Sequence, residues 1–268
     1  MRNLSFLLVL LLALSNVSWA SGMKKKKPLP YEFGSVTINN YSQQAGMAPV
    51  VFDHWVHRQY YTCRLCHVDI GFGMTADSTK IRAVDNMRGY FCGVCHNGKM
   101  NERKQRVFEA CEREYTREEY NGRCVRCHAL GRSPAKEEEF ARFAARMPKE
   151  TFGNGINWEK AEDEGLIRPI DHLPGISGGK AKFKITQDFS LKAKVEGMPD
   201  IIFSHKKHTV WNGCEICHPD IFLGIKKGST KYSMIELFEG RYCGVCHDKV
   251  AFPQTDCHRC HSKPVGEQ

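Results

Sequence analysis

The chain has 268 residues, 41% of them apolar, and a formal net charge of +9. Beyond its first twenty residues no apolar stretch is long enough to span a bilayer, which excludes a bundle of membrane helices. A basic balance alone would fit nucleic acid or an anionic membrane surface as a partner. The thirteen cysteines and twelve histidines indicate a different chemistry.

The first twenty residues have the pattern of a cleavable export signal. Arg2 is followed by an apolar run over residues 4–14 and by Ser18, Trp19 and Ala20, with small residues at two positions before the expected cut. The run is too short to span a bilayer, so a retained anchor is the weaker interpretation. We expect an exported protein, located in the periplasm, at the outer membrane or outside the cell.

The pattern Cys-x-x-Cys-His occurs six times and uses twelve of the thirteen cysteines. Composition alone predicts about 0.03 copies. The motifs are Cys63/Cys66/His67, Cys92/Cys95/His96, Cys124/Cys127/His128, Cys214/Cys217/His218, Cys243/Cys246/His247 and Cys257/Cys260/His261. At this spacing two thiols form thioether bonds to one haem while the imidazole binds its iron. Zinc sites and disulfides also use paired cysteines, but neither explains a histidine after every pair. The sequence therefore predicts six haem c groups.

Six haems are many for a chain of this size. Cleavage after Ala20 would leave 248 residues, about 41 for each haem, which is few for a conventional core around each one. We expect the porphyrins to form much of the core, with edges that reach solvent or one another. Two propionates on each haem would offset the positive charge, so no nucleic-acid partner is expected.

A shift of 151 residues places one half of the chain on the other, including the first two motifs of each half, without a gap. The matched positions between and before these motifs are Phe52, His54, His57, Asp69, Ile70 and Ser78–Lys80 on Phe203, His205, His208, Asp220, Ile221 and Ser229–Lys231. The chain is predicted to be a duplicated triheme module. The expected boundaries are an N-terminal segment 21–48, a first module 49–130, a linker 131–199 and a second module 200–268.

The register breaks before the third motif of each half. His96 and Cys124 are 28 positions apart, whereas His247 and Cys257 are 10 apart, so the first module carries an insertion of 18 residues within about 97–123. The insertion contains Cys111, the one cysteine outside the motifs. It is interpreted as a free buried thiol, with a remnant of an older motif or an intermolecular disulfide as alternatives.

The linker contains a helix start. Ser133 is a good capping residue, Pro134 suits the first helical position, and acids at 137–139 suit the positive end of the helix dipole. One face at helical spacing is apolar, formed by Phe140, Phe143, Ala144 and Met147. The rest of the linker is punctuated by proline and glycine and is expected to be loop. Elsewhere we predict short helices around the motifs and little sheet beyond residues 36–38 and 49–52.

The histidines outside the motifs decide how the second axial position of each iron is filled. The pairs His54/His57 and His205/His208 lie nine and six residues before the first cysteine of their module. This repetition predicts distal ligands for four of the six haems. His258 lies inside its own motif and cannot reach the opposite face of that ring.

The third haem of each module lacks an obvious second histidine. Methionine is the other common axial ligand of such haems and raises the reduction potential. Met234 lies nine residues before the fifth motif, but the matching residue of the first module is Ala83. Met87 or Met74 would have to substitute there, or His172, which is equally well read as a surface histidine.

These features resemble class III cytochromes c, in particular the c7-type (cytochrome c3-like) triheme modules of metal- and sulfur-respiring bacteria. The resemblance covers residues 49–128 and 200–262 through His-x-x-His before the first motif, Gly-x-x-Cys-Gly-x-Cys-His at the second, and a closing Cys-x-x-Cys-His. It implies small, mostly helical and irregular modules with haem-dominated cores and little β structure. Their haems would lie in van der Waals contact.

The resemblance also implies an assignment of distal ligands. In that family the first histidine of the pair caps the first haem and the second caps the second, which implies the pairs His54 with His67, His57 with His96, His205 with His218 and His208 with His247. The third distal ligand comes from the segment between the first two motifs, which implies Met87 or Met74 and Met234. The insertion departs from the compact family pattern and leaves the geometry at His128 open.

Together these features predict an electron-transfer protein of anaerobic respiration rather than an enzyme, because an iron filled on both sides cannot bind substrate. Expected partners are a quinol dehydrogenase, other multihaem cytochromes or an outer-membrane conduit, leading to a terminal acceptor such as a metal oxide or a reductase. Two alternatives stay open. One is a multihaem reductase with one open iron, and the other is a self-associating subunit of a cytochrome filament.

Overall fold

The computed structural model describes residues 27–263, with gaps at 103–104, 111–123, 130, 179–186 and 225. The predicted export signal and Cys111 lie outside the described residues. In the described part the α-helices are His54–Arg58 (α1), Ala83–Met87 (α2), Pro134–Ala144 (α3), Trp158–Asp163 (α4), His205–Asn212 (α5), Met234–Phe238 (α6) and Cys257–Cys260 (α7). The strands are Ser35–Ile38 (β1), Val50–Asp53 (β2), Asn101–Glu102 (β3), Gln105–Arg106 (β4), Phe189–Leu191 (β5) and Ile201–Phe203 (β6).

The remaining helical segments are single turns of tighter or wider pitch. The 3-10 segments are Pro30–Glu32, Phe91–Val94, Cys124–Arg126 and Tyr242–Val245, and Leu65–Ile70 is π-helical. Elements this short are marginal in isolation and depend on what packs against them. The mostly helical and irregular fold with little sheet is confirmed. No helix of the described residues is both long and apolar enough to cross a membrane.

The predicted strands near residues 36–38 and 49–52 form an antiparallel pair, β1 with β2, in which Val36 lies opposite Phe52. The second module contains the matching pair β5 with β6, in which Phe189 lies opposite Phe203. A third pair, β3 with β4, lies in the insertion of the first module. The sequence did not predict the latter two sheets.

The predicted helix start at Ser133 is confirmed, and the helix is α3. The Ser133 hydroxyl accepts a hydrogen bond from the Lys136 backbone N–H, and Pro134 is the first helical residue. Phe140 and Phe143 are buried. The apolar face therefore packs as its periodicity predicts.

The main hydrophobic core lies between this helix, α4 and α1. Trp55 of α1 is 2% exposed, and its ring meets Phe140 at 5.2 Å and Phe143 at 5.7 Å between centroids. Trp158 of α4 meets Phe143 at 5.7 Å. The segment between the modules, expected to be mostly loop, thus contains two helices and supplies most of this core against the first module.

A buried ion pair joins α3 to the strand before α1. Lys136 Nζ lies 2.5 Å from Asp53 Oδ2, and the Asp53 carboxylate also accepts a hydrogen bond from the Ser35 hydroxyl. Asp53 is 6% exposed. Since an unpaired buried carboxylate is costly, this pair fixes how α3 sits on the first module.

The two modules differ by one residue just after their first motif. His67 Nδ1 bonds the Phe72 carbonyl five positions on, whereas His218 Nδ1 bonds the Phe222 carbonyl four positions on. The first module takes up the extra residue in its π-helical segment, and the second has consecutive turns there. The ungapped sequence match therefore holds on both sides of this segment but not within it.

Phe108 divides the insertion of the first module into two parts. His96 Nδ1 bonds the carbonyl of Phe108, and His247 Nδ1 bonds that of Phe252 in the same way. These residues are twelve positions apart in the first module and five in the second. Seven inserted residues therefore precede Phe108 and form the β3–β4 hairpin, and the other eleven fall between Phe108 and the third motif.

Candidate haem-binding sites

Five of the six motifs fold so that the backbone of the histidine turns back to the first cysteine. In five motifs the histidine N–H donates to the carbonyl of the first cysteine at 2.7–3.0 Å, namely at His96, His128, His218, His247 and His261. None of the twelve motif cysteines, all of which the structure describes, forms a disulfide. One helical turn thus brings two thiols and one imidazole to the same side of the chain, which is the arrangement that covalent haem attachment requires.

The ring of every motif histidine is fixed by its own backbone partner. The Nδ1 atoms of His67, His96, His128, His218, His247 and His261 lie 2.7–3.1 Å from the carbonyl oxygens of Phe72, Phe108, Ala48, Phe222, Phe252 and Pro199. A carbonyl oxygen can only accept a hydrogen bond, so Nδ1 must carry the proton. Nε2 of the neutral ring then keeps its lone pair. Histidines that bind metals are oriented in this way.

Three of the four distal histidines implied by the family face their partners. Ring centroids are 6.4 Å apart for His54 and His67, with planes 8° from parallel. They are 6.2 Å apart for His57 and His96, and 6.3 Å for His208 and His247. Two imidazole–metal bonds of about 2 Å each, plus the distance from each bonding nitrogen to its ring centroid, add up to a centroid separation of about 6 Å. Each pair could hold one iron between its rings.

The fourth histidine of this set, His205, has the same local setting as His54. Its ring meets Phe203 edge-on at 5.0 Å and 86°, as His54 meets Phe52 at 4.8 Å and 89°. The Nδ1 atoms differ, because His54 bonds the Gly34 carbonyl at 2.6 Å while His205 has no hydrogen-bond partner among the described residues. The His205 ring thus repeats the orientation of the His54 ring on its phenylalanine, but not the hydrogen bond of Nδ1 to a backbone carbonyl.

The second histidine of each pair lies against a phenylalanine. Phe52 stacks on His57 at 4.3 Å and Phe203 stacks on His208 at 4.4 Å. The repeat marks both phenylalanines as matched positions, but the sequence alone assigns them no role. Their position two residues before the first histidine of the pair is the signal that could have identified them.

The third motif of each module docks on the same strand despite the insertion. His128 bridges Val50, and its Nδ1 bonds the Ala48 carbonyl at 2.7 Å. His261 bridges Ile201, and its Nδ1 bonds the Pro199 carbonyl at 2.7 Å. The strand partners are related by the 151-residue shift, whereas the two histidines are 133 positions apart because of the 18-residue insertion. The geometry at His128, which the sequence left open, therefore repeats that of the compact module.

The candidate methionines lie in different settings. Met74 and Met234 line the cavity described next, and Met234 is also 40% exposed. Met87, at the end of α2, is 45% exposed and is not among the lining residues. His172 and His258 are exposed. In the first module Met74, rather than Met87, therefore shares a cavity with the motifs.

One continuous cavity of about 2310 Å³ runs through both modules. It is several times larger than the ~300–1,000 Å³ of a typical single-ligand site. Every motif contributes at least one lining residue, and the wall is otherwise mainly apolar. The lining residues of the motifs are Cys63, Cys66, His67, Cys92, Cys95, His96, Cys127, Cys217, Cys243, Cys246, His247, Cys257, Cys260 and His261.

The electrostatics of the cavity suit neutral imidazole ligands. Burial lowers the pKa of His54 and of His57 to about 4. It also lowers the pKa values of His67, His96, His208 and His247. Neutral rings keep the lone pair that binds iron. The Thr62 hydroxyl lines the same cavity and has no partner among the described residues, so it could donate to a haem propionate. These residues fit haem c.

Paired thiols, oriented histidines and a shared cavity in two repeated modules define a multihaem cytochrome of the c type. The sequence profile of the family described as cytochrome c7 and related cytochrome c matches residues 50–129 and 201–262, about half of the chain. The chain belongs to this family. Cytochromes of this kind transfer electrons.

Similar solved structures include the C-terminal and N-terminal hexaheme fragments of GSU1996 and the dodecaheme cytochrome c GSU1996. Each is 21% identical with a TM-score of 0.25. The matches cover 84%, 85% and 85% of this chain and 96%, 98% and 74% of theirs, respectively. A TM-score this low does not allow their haem arrangement to be transferred to this chain. The search of curated protein sequences gave no match.

Proposed function

We propose that the chain binds six haem c groups, one at each Cys-x-x-Cys-His motif, and carries electrons between redox partners outside the cytoplasm. The twelve motif cysteines would form the thioethers and the six motif histidines would bind the irons. Bound haem supplies a reversible one-electron Fe(III)/Fe(II) couple. The protein supplies attachment, axial ligands and a low-dielectric setting.

The facing histidine rings are the observation that carries this proposal. His54, His57 and His208 each lie 6.2–6.4 Å from a motif histidine, centroid to centroid. A ring held at this distance fills the second axial position, so these irons would be closed to substrate and suited to electron transfer alone. We assign His205 the same role opposite His218, because its contact with Phe203 repeats that of His54 with Phe52.

For the third haem of the first module we propose Met74 as the distal ligand. Val50 bridges His128 and pairs with Ile38 at the end of β1. The next residue, Asn39, donates its N–H to the Asp77 carboxylate at 2.7 Å, which holds the 74–77 loop at the same end of the hairpin as His128.

Met234 has a comparable position in the second module. Ile201 bridges His261 and pairs with Leu191, and Lys194, just beyond that strand, donates to the Tyr232 carbonyl at 2.7 Å. A thioether ligand at both third sites would raise their potentials above those of the bis-histidine sites. The six haems would then span a range of potentials along the chain.

The domain limits and the physiological setting are part of the proposal. Two triheme modules, 49–130 and 200–268, would be joined by the segment 131–199, and residues 1–20 would direct export. Donor and acceptor would be redox proteins, such as a quinol dehydrogenase on one side and another multihaem cytochrome or an outer-membrane conduit on the other. Anaerobic respiration is the process such a chain would serve.

Carbon monoxide binding tests this function. The holoprotein, matured in a host with a haem-ligation system and reduced with dithionite, should show low-spin haem spectra and bind little carbon monoxide. His57→Ala should open one iron and bind about one carbon monoxide per chain, because it removes the ring that faces His96. His172→Ala, an exposed histidine, is the matched control and should behave as the parent. High-spin haem and carbon monoxide binding at several irons of the unmodified protein would contradict the proposal.

A further inference from the structure

The first motif of the first module is built into the contact between the modules. Arg64, between Cys63 and Cys66, is 4% exposed and pairs with Asp69 at 2.7 Å. Its Nε also lies 3.5 Å from a carboxylate oxygen of Glu215, which lies between the cysteines of the fourth motif. The first motif of one module therefore faces the first motif of the other.

The backbone of the second module is shaped to allow this approach. Gly213 has φ +66°, and a Cβ there would lie 2.6 Å from Arg64 Cδ. A larger residue would be strained by its backbone and would push the arginine away. On the other side, a Cβ on Gly34 would lie 3.4 Å from the Lys249 carbonyl oxygen. Gly34 is the residue whose carbonyl orients His54, so both the thioether side and the distal side of this haem site touch the second module.

A second arginine lies in the same contact. Arg58 ends α1, and its guanidinium lies 4.2 Å from the ring centroid of Trp158 and 5.0 Å from that of Trp211. Its Nη1 donates to the Val250 carbonyl at 2.9 Å. Trp211 and Val250 belong to the second module, so this cation is held between the two modules by two indole faces and a carbonyl.

The first site also lies close to the fifth motif. Val250, whose carbonyl accepts the Arg58 hydrogen bond, and Lys249, whose carbonyl lies beside Gly34, follow His247 by three and two positions.

The matching site of the second module lacks these cations. The 151-residue shift places Arg58 on Thr209 and Arg64 on Glu215. The second module has Lys206 and Lys207 in place of Trp55 and Val56, but both lysines are exposed and Lys207 pairs with Glu159, whereas Arg58 and Arg64 are held in the contact between the modules. Asp69 offsets Arg64, and Glu162, hydrogen-bonded by Trp211, offsets part of the Arg58 charge.

We infer that Arg58 is a positioning residue for electron transfer: held at the contact between the modules, its guanidinium raises the reduction potential of the haem bound by Cys63 and Cys66 above that of the matching haem bound by Cys214 and Cys217. The inference rests on the proposed electron-transfer function. A nearby cation disfavours the oxidised iron, which carries one more positive charge than the reduced iron. A unit charge about 10 Å away, in a medium of effective dielectric about 20, changes the equilibrium between the two states by about tenfold.

The consequence is a direction for electrons at the junction. An electron supplied by an external one-electron reductant would reside on the first site in preference to the fourth, and no bond or proton need move. Because the first site contacts Glu215 of the fourth motif, and Lys249 and Val250 just after the fifth, it would be where the two modules exchange charge. The remaining haems of each module would communicate across it.

A haem-resolved redox titration of the unmodified holoprotein tests the inference. Haem-methyl NMR signals, assigned through their contacts with neighbouring side chains, would be followed as dithionite is added. We expect the haem at His67 to be reduced before the haem at His218, and its reduction to shift the midpoints of the haems at His218 and His247. A haem at His67 that is reduced after the one at His218, or that is coupled only to its own module, would overturn the inference.

Substitution isolates the contribution of Arg58. Arg58→Met should lower the reduced-to-oxidised ratio of the His67 haem by about tenfold at a fixed ambient potential. Arg58→Lys keeps the charge and should restore most of that ratio, which a purely structural role would not predict. Arg142→Met removes an exposed helix arginine, whose charge is screened by solvent, and should leave the reduced-to-oxidised ratio of every haem within about twofold. An unchanged potential in Arg58→Met would overturn the inference.

Failure of this inference is distinguishable from failure of the proposed function. If fewer than six haems are attached, or they do not titrate reversibly, the proposed function fails. If all six titrate reversibly but the order at the first and fourth sites is reversed, only the role of Arg58 fails. Should Arg58→Met not fold, the titration of the unmodified protein still decides the order and the coupling.

Discussion

The helices α1 and α5, which carry the proposed distal ligands of the two modules, have the same histidines but different surroundings. In α1 the residues between the histidines are Trp55 and Val56, and Trp55 is 2% exposed under the core built by α3 and α4. In α5 the matching residues are Lys206 and Lys207, and both are exposed. The repeated positions thus hold the proposed haem ligands, and the positions that differ decide what packs against each helix.

The third motifs of the two modules have different connections before them but the same docking contacts. One follows an insertion of 18 residues and the other does not, yet His128 and His261 bond matching carbonyls at the same 2.7 Å. Loop length costs little free energy as long as the ends are held. Docking of the motif on the strand edge, not the length of its connection, therefore fixes the site.

The largest expected effect separates the two helices. Trp55→Ala should lower the free energy of unfolding by about 3–5 kcal/mol, because it empties the centre of the core. Lys206→Ala, the matched substitution in α5, should change it by less than about 0.5 kcal/mol, as for other surface sites. Chemical denaturation of both holoproteins, followed by circular dichroism, measures the difference. Equal losses would contradict the asymmetry.

The ion pair beneath α1 should rank second. Lys136→Met leaves the Asp53 carboxylate buried without its cation and should cost about 2 kcal/mol, reduced from a fully buried pair because Lys136 is partly exposed. Adding Asp53→Asn should recover part of the loss. A double variant no more stable than the single one, in the same denaturation experiment, would show that the pair does not act through charge.

The stacked phenylalanines should behave alike in both modules. Phe52→Leu and Phe203→Leu each remove a ring that packs on a distal histidine at 4.3 or 4.4 Å, and each should cost about 1 kcal/mol. The low-spin signals of the two affected haems in electron paramagnetic resonance should broaden to the same extent. A marked effect in one module alone would mean that the repeat is not equivalent at these sites.

The smallest effect is expected in the insertion. Deleting residues 99–105 would leave Phe108 five positions after His96, as Phe252 is after His247. Haem number by intact mass should stay the same, and stability should change by less than about 1 kcal/mol, since a shorter loop still reaches the same carbonyl. Loss of the haem at His96 or at His128 would show that the hairpin supports the site directly.

Much of this arrangement could be predicted from sequence because it depends on local spacing. The motifs, the strands β1 and β2 and the capped start of α3 follow from patterns within a few residues, and the repeat follows from the recurrence of such patterns at a fixed shift of 151 residues. The carbonyls that orient the six motif histidines could not be predicted, because backbone acceptors carry no side-chain signature. The same holds for the core over Trp55, which depends on contacts with residues about a hundred positions away.

The contact between the modules was also beyond prediction. Arg58 and Arg64 look like surface charges in the sequence, and only the approach of Trp211 and Gly213 makes them part of a haem site. Asymmetry between repeats is visible as a substitution, Arg64 against Glu215, but its meaning depends on which residues face each other. Matched differences between duplicated modules are therefore a useful place to look for functional tuning.

The intact mass of the mature protein tests the central claim most directly, because every assigned role depends on covalent haem at all six motifs. The proposed function predicts a single species that carries six haem c groups, with the visible spectrum of low-spin iron. A mature protein that carries fewer haems, with intact Cys-x-x-Cys-His motifs left as free thiols, would contradict it.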